Sequence, residues 1–155
     1  MKRIITIALL LTACAFLISL VYKPLNPISE SGGEATGAVA QVAGVTIDLL
    51  VVDTPEEREK GLSGHPGLEP EEGMLFVFPE DGVYSFWMKD MLFAIDIIWL
   101  SYSGDIIDIR ENAAPESYPT AFTPRGPARY VLELPQGFVA EHRVAVGDVV
   151  ELHLP

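Results

Sequence analysis

The stretch from Met74 to Tyr102, MLFVFPEDGVYSFWMKDMLFAIDIIWLSY, decides the fold. Its β-branched and aromatic runs at 74–78, 83–89 and 94–102 are divided by turn residues such as Pro79-Glu80-Asp81-Gly82. The segment therefore reads as successive strands. Ser103-Gly104 predicts a tight hairpin into the next run, DIIDIR at 105–110. Towards the N-terminus, VTIDLLVV at 45–52 reads as a further strand. Thr54-Pro55-Glu56-Glu57 then supplies an N-cap, a proline at the first helical position and a capping box, so a short helix follows and stops at Gly61. Towards the C-terminus, residues 113–127 hold Pro115, Pro119, Pro124 and Pro127 and read as an irregular surface excursion. ARYVLEL at 128–134 is another strand, 138–143 has room for one or two helical turns, and Gly147-Asp148 leads into a last strand, VVELHL. The sum is an α+β domain: a mostly antiparallel curled sheet or partly open barrel of about seven short strands with one short capped helix.

The chain has 155 residues, 49% of them apolar, which suits one domain of ordinary size. Its 22 acidic and 10 basic side chains give a formal charge of −12, which argues against a nucleic-acid partner because phosphate neutralisation needs clustered Lys and Arg. Residues 4–22, IITIALLLTACAFLISLVY, carry no charge and follow Lys2 and Arg3. As a helix they would extend roughly 28 Å, nearly a bilayer's apolar thickness. Basic residues ahead of such a run favour an N-terminus left inside, with everything after Tyr22 translocated. Three fates compete for this segment. An uncleaved anchor fits its length best, a lipidated Cys14 fits the sequence Leu11-Thr12-Ala13-Cys14, and a cleaved signal fits Ala13-Cys14-Ala15. Residues 23–41 are rich in Pro, Gly and Ser and read as a flexible linker, leaving 42–155 as the globular domain. The expected place is the bacterial cell envelope, on the extracytoplasmic side, with the membrane as a partner through residues 4–22.

The chemical inventory is sparse. There is no Gly-x-Ser-x-Gly elbow, and the one cysteine lies in the apolar leader. His65, His142 and His153 form no metal-ligand spacing, and the glycines at 61, 64 and 67 do not connect a strand to a helix as a phosphate loop would. Neither a metal nor a cofactor is expected. What stands out is a set of polar groups inside apolar runs. Asp96 has isoleucine on both sides, and neither period-two face of its strand is plainly a solvent face. Glu133 repeats the situation in VLELP. Such carboxylates must find donors, pair with Lys89, Arg110 or Arg129, or serve a ligand or acid/base role. Trp87 and Met88 read first as core packing and alternatively as a stacking platform beside a carboxylate. The candidate binding residues are therefore Trp87, Met88, Lys89, Asp96 and Glu133, with Cys14 a candidate for lipidation.

The runs Gly73 to Pro79, Phe86-Trp87-Met88-Lys89, Ile95-Asp96-Ile97-Ile98 and Tyr130 to Gly137, taken in order, resemble domain of unknown function family 192 over about residues 45–154. The resemblance implies a single small α+β domain, often behind a signal or anchor, in a family of bacteria and archaea without an established activity. Two places depart from the family's usual pattern. Gly61-Leu62-Ser63-Gly64-His65 stands where Gly-Leu-Met and a basic residue are usual, and Asp90-Met91 stands where Asn-Thr follows Trp-Met-Lys.

Three functions compete. The first is a membrane-tethered domain that binds a small molecule, glycan or protein partner without catalysis. The second is a hydrolase acting on an envelope glycan through Asp96 and Glu133, which requires their carboxyl groups to stand about 5 to 9.5 Å apart in an open cleft. The third is a passive structural or chaperone-like module, in which Trp87 belongs to the core.

Overall fold

The computed structural model describes residues 37–155. The apolar leader, Cys14 and the linker up to residue 36 lie outside the described residues. Among the described residues nine strands, named in chain order, carry the fold. They are β1 (Val39–Val42), β2 (Val45–Val52), β3 (Glu72–Gly82), β4 (Phe86–Trp87), β5 (Ile95–Leu100), β6 (Ile106–Ala113), β7 (Ala121–Phe122), β8 (Ala128–Pro135) and β9 (Glu151–His153). Two short helices accompany them, α1 (Pro55–Lys60) and α2 (Phe138–His142). Seven strands form one curled sheet in the order β6-β5-β8-β3-β2-β1-β9, and β4 pairs with β7 in a small ribbon.

The sheet is mixed. The helix and loop between β2 and β3 carry the chain over far enough for these two strands to run parallel, while the remaining pairs are antiparallel. Helix α1 starts as its sequence dictates. Thr54 Oγ1 accepts from the Glu57 amide at 3.2 Å, and Glu57 Oε2 accepts from the Thr54 amide at 3.2 Å.

Three expectations change. The globular part begins before residue 42, because β1 starts at Val39 and both Ala38 and Ala40 are core residues. The strand expected over 83–89 shrinks to Phe86–Trp87, and its partner Ala121–Phe122 comes from the proline-rich stretch, which is less irregular than its composition suggests. The turn expected at Pro79 to Gly82 is instead the end of β3, whereas the helical turns expected over 138–143 form as α2.

Both faces of the sheet are covered. One core gathers Ile47, Leu49, Leu75, Ile98, Leu100, Leu132 and Leu134 beneath Phe138 and Val139 of α2. The other gathers Met74, Phe76, Ile95, Ile97, Trp99 and Val131 with Leu62, Met88 and Met91. Every residue of β5 is buried, which is why neither face of that strand reads as solvent-facing.

The two ends of the curled sheet approach each other at the 104–106 turn. Asp105 bridges Val149, and the Val150 amide donates to the Gly104 carbonyl at 2.9 Å. Gly104 has φ +91°, and a β-carbon there would lie 2.2 Å from the Val150 carbonyl oxygen. Gly104→Ala is therefore expected to cost about 2 to 4 kcal/mol by strain and overpacking together, read as a lower denaturation midpoint. A change within experimental error would mean that the sheet ends do not meet there.

Candidate functional site

Strand β8 runs between β3 and β5, and its register fixes where the two unusual carboxylates go. Glu133 stands opposite Met74 on one side and Ile97 on the other, whereas Asp96 stands opposite Leu134. Directly paired residues share a face and successive residues alternate. Asp96 and Glu133 therefore point to opposite sides of the sheet, and the acid/base pair required by the glycan-hydrolase reading does not form.

Asp96 is fully buried beside α2. Its Oδ1 accepts from the Asn112 amide at 2.8 Å, and its Oδ2 accepts from the Val139 amide at 2.9 Å. Val139 lies in the first turn of α2, where an amide has no partner within the helix, so the carboxylate supplies the missing acceptor. Asp96 pins the end of β6 and the start of α2 to the sheet. Its hydrogen bonds are structural, and it does not line the cleft that holds Glu133.

Glu133 is the opposite case. It is 5% exposed, its Oε2 has no hydrogen-bond partner, and its neighbours along β3 and β5 are apolar. Burial pushes its carboxyl up from 4.5 to about 8, so it is mostly protonated at neutral pH. The expected cationic partners are elsewhere. Arg129 pairs with Asp81 at 2.8 Å, Arg110 stacks over Phe122 at 4.4 Å, and Lys89 borders a neighbouring polar hollow.

Glu133 lines a cleft of about 360 Å³ whose walls come from α1, β3, β4 and the 83–85 segment. Much of the lining is aromatic. Phe78 stacks on Tyr84 at 3.5 Å, and Phe86 meets Phe76 edge-on at 4.8 Å and Trp99 at 6.1 Å. Hydrogen bonds fix this arrangement from outside. The Trp99 indole donates to the Tyr84 carbonyl at 2.8 Å, and the Tyr84 hydroxyl donates to the Glu80 carbonyl at 2.8 Å. Arg58 reaches from α1 across Phe78 and donates to the Val77 carbonyl at 2.8 Å, tying the helix to β3. Gly61, which ends α1, lets the chain pass close to the Phe76 ring; a β-carbon there would sit 3.1 Å from the ring.

Trp87 stands at the mouth. It is 54% exposed, it leans on Tyr118 at 6.0 Å, and it borders both the cleft and the polar hollow that contains Lys60, Lys89 and Asp90. The core-packing reading fails for Trp87 and holds for Met88, which is buried in the core under the cleft side of the sheet. The structure thus brings Trp87 and Glu133 to one cleft, leaves Lys89 beside it and removes Met88 and Asp96. Arg58, Phe76, Phe78, Tyr84 and Phe86 join the site unannounced, because they become neighbours only once α1, β3 and β4 are assembled.

Comparison with known proteins agrees with this architecture. A UPF0127 protein of Thermococcus sibiricus is 28% identical over 105 residues, which cover 66% of this chain and 64% of that protein. The chain thus spans somewhat under two thirds of the length of that curated relative. Among solved structures, a candidate transcription regulator of Sinorhizobium meliloti 1021 is 32% identical, covering 74% of this chain and 91% of that one with a TM-score of 0.69. A protein of unknown function from Novosphingobium aromaticivorans is 29% identical, covering 74% and 82% with a TM-score of 0.68. Residues 38–152 match the DUF192 family, described as "Uncharacterized ACR". The chain belongs to the DUF192 (UPF0127) family, whose function is unknown.

Proposed function

We propose that this protein is a membrane-tethered, extracytoplasmic binding domain that holds a small organic ligand in the aromatic cleft without catalysing a reaction on it. The observation that carries this reading is Glu133, a buried carboxyl with an unpartnered oxygen at a cleft that combines aromatic walls with the charged side chains of α1. Pockets for small molecules combine such walls with a few polar groups that fix orientation. Asp96 lies on the other face of the sheet, and we read Glu133 as a recognition group. The uncharged leader at 4–22 behind Lys2 and Arg3 supports the tether and the extracytoplasmic side. Mass spectrometry of the mature N-terminus from membrane fractions tests both, and a soluble cytoplasmic product with the leader intact would contradict them.

A regulatory role on nucleic acid, suggested by the description of the Sinorhizobium meliloti protein, finds no support in the charge. Residues 42–155 carry 7 basic and 20 acidic side chains, a formal −13.

The test of the binding reading is a small-molecule thermal-shift and fluorescence screen on the full chain, with Trp87 as reporter and acrylamide quenching to separate it from buried Trp99. A ligand should raise the melting temperature and shield Trp87. If no compound class does either, the reading fails. Trp87→Ala is expected to change stability by less than about 1 kcal/mol, against about 3 to 5 kcal/mol for a core tryptophan, while abolishing the ligand-induced shift.

A further inference from the structure

We infer that the cleft takes an organic cation: a protonated primary or secondary amine on an apolar body, its N–H groups donating to the Glu133 carboxylate and its body lying among the aromatic rings. This rests on the binding reading above and adds the chemical class of the ligand.

Two cations of the protein line the same cleft, Arg58 and Lys60, yet neither pairs with Glu133. Arg58 is committed to the Val77 carbonyl and the face of Phe78. The open carboxyl oxygen is thus left to a donor from outside. An ammonium group meets both demands of the site. Its charge neutralises the ionised carboxylate, and its N–H donors fill the empty Oε2 position. Phe76, Phe78, Phe86 and Trp87 offer ring faces and edges to a cation and its apolar body. The −13 charge of residues 42–155 draws cations towards the domain and repels anions. A quaternary ammonium would satisfy the rings and the charge but leave Oε2 without a donor, so it should bind more weakly than a primary amine of the same body.

Proton linkage separates this ligand class from the others. Besides Glu133, the titratable groups lining the cleft are Arg58, Glu59 and Lys60 of α1 and Tyr84; Met74 and Ile97, which flank Glu133 in β3 and β5, carry none. An amine must displace the proton of Glu133. Its affinity should therefore rise about tenfold per pH unit between pH 6 and the carboxyl's value of about 8, then level off, with close to one proton released per binding event at neutral pH. A ligand that accepts the Glu133 proton would instead lose affinity above pH 8.

The experiment titrates the full chain, purified in mild detergent, with a panel of primary arylalkyl amines from benzylamine to tryptamine and with their alcohol and carboxylate counterparts. Trp87 fluorescence is the readout, with calorimetry in two buffers of different ionisation enthalpy. The expected result is saturable binding by at least one amine with the stated pH slope, a loss of about tenfold or more in Glu133→Gln, and an unchanged slope in Glu59→Gln. Binding of alcohols or carboxylates in preference to amines would overturn the cationic assignment and leave the binding cleft standing. Silence from every class would remove both. A slope that follows Glu59 would overturn the role given to Glu133.

Discussion

Replacing Glu133 with glutamine is expected to raise the melting temperature of the protein, and to do so by much more at pH 9 than at pH 5. Glutamine keeps the shape of the side chain and cannot ionise. In the unfolded chain the Glu133 carboxyl titrates at its ordinary value of 4.5, and in the fold at about 8 because burial disfavours the charge. Between those values the native state holds a proton that the unfolded state has released. Stability accordingly falls as pH rises through that window, by up to about 1.4 kcal/mol per pH unit. Above pH 8 the loss levels off at a total on the order of 5 kcal/mol. Below pH 4.5 both states are protonated and the variant should gain little. Unfolding in urea at a series of pH values reads the difference. A stability gap independent of pH would mean that the carboxyl is solvated or paired.

The second large effect has the opposite sign. Asp96→Ala removes the acceptor of two backbone amides, the buried one of Val139 and the part-buried one of Asn112. Hydrogen bonds to a charged group contribute about 1.5 to 3 kcal/mol each, so a loss of about 3 to 5 kcal/mol is expected. Asp96→Asn keeps one acceptor oxygen and should lose about half as much. Hydrogen exchange at the Val139 and Asn112 amides should accelerate in both variants. Unchanged exchange, or a midpoint shift under about 1 kcal/mol, would show that the carboxylate does not hold α2 to the sheet.

Two carboxylates one strand apart thus do contrary things, and the difference is one of register. Each looks like an acid embedded in an apolar run. Which one meets donors depends on what covers its face of the sheet, and that is set by the pairing of β5 with β8 and by the return of α2 over the Asp96 side. A period-two reading of a single strand assigns residues to faces but does not say what lies above them. The capping box at Thr54 could be read locally because its partners lie within a few residues. Pro79 to Gly82 misled as a turn because the end of β3 depends on its irregular pairing with β8. The parallel β2–β3 pair, the short β4–β7 ribbon and the aromatic cleft could not be read locally, because their partners are distant in sequence. Tyr84, for example, enters the site through the indole of Trp99, fifteen residues away.

Acid stability has a separate origin. The Arg125 guanidinium, bonded to Asp108 at 2.7 Å, together with the Arg125 and Ile109 amides, holds the Asp108 carboxyl below its ordinary value of 3.8. Its contribution is present above that value and is lost as pH falls through the lowered one. Between them these two groups favour the fold most at about pH 4, because stability falls above the ordinary Glu133 value of 4.5 and below the ordinary Asp108 value of 3.8. There Glu133 keeps its proton and Asp108 keeps its charge.

The most direct measurement follows the side-chain carboxyl carbon of Glu133 by NMR across pH 4 to 10, with the resonance identified by its absence in Glu133→Gln. The account predicts a midpoint near 8 in the unliganded protein. A midpoint near the ordinary carboxylate value would contradict it and would take the buried, unpartnered recognition group out of the cleft.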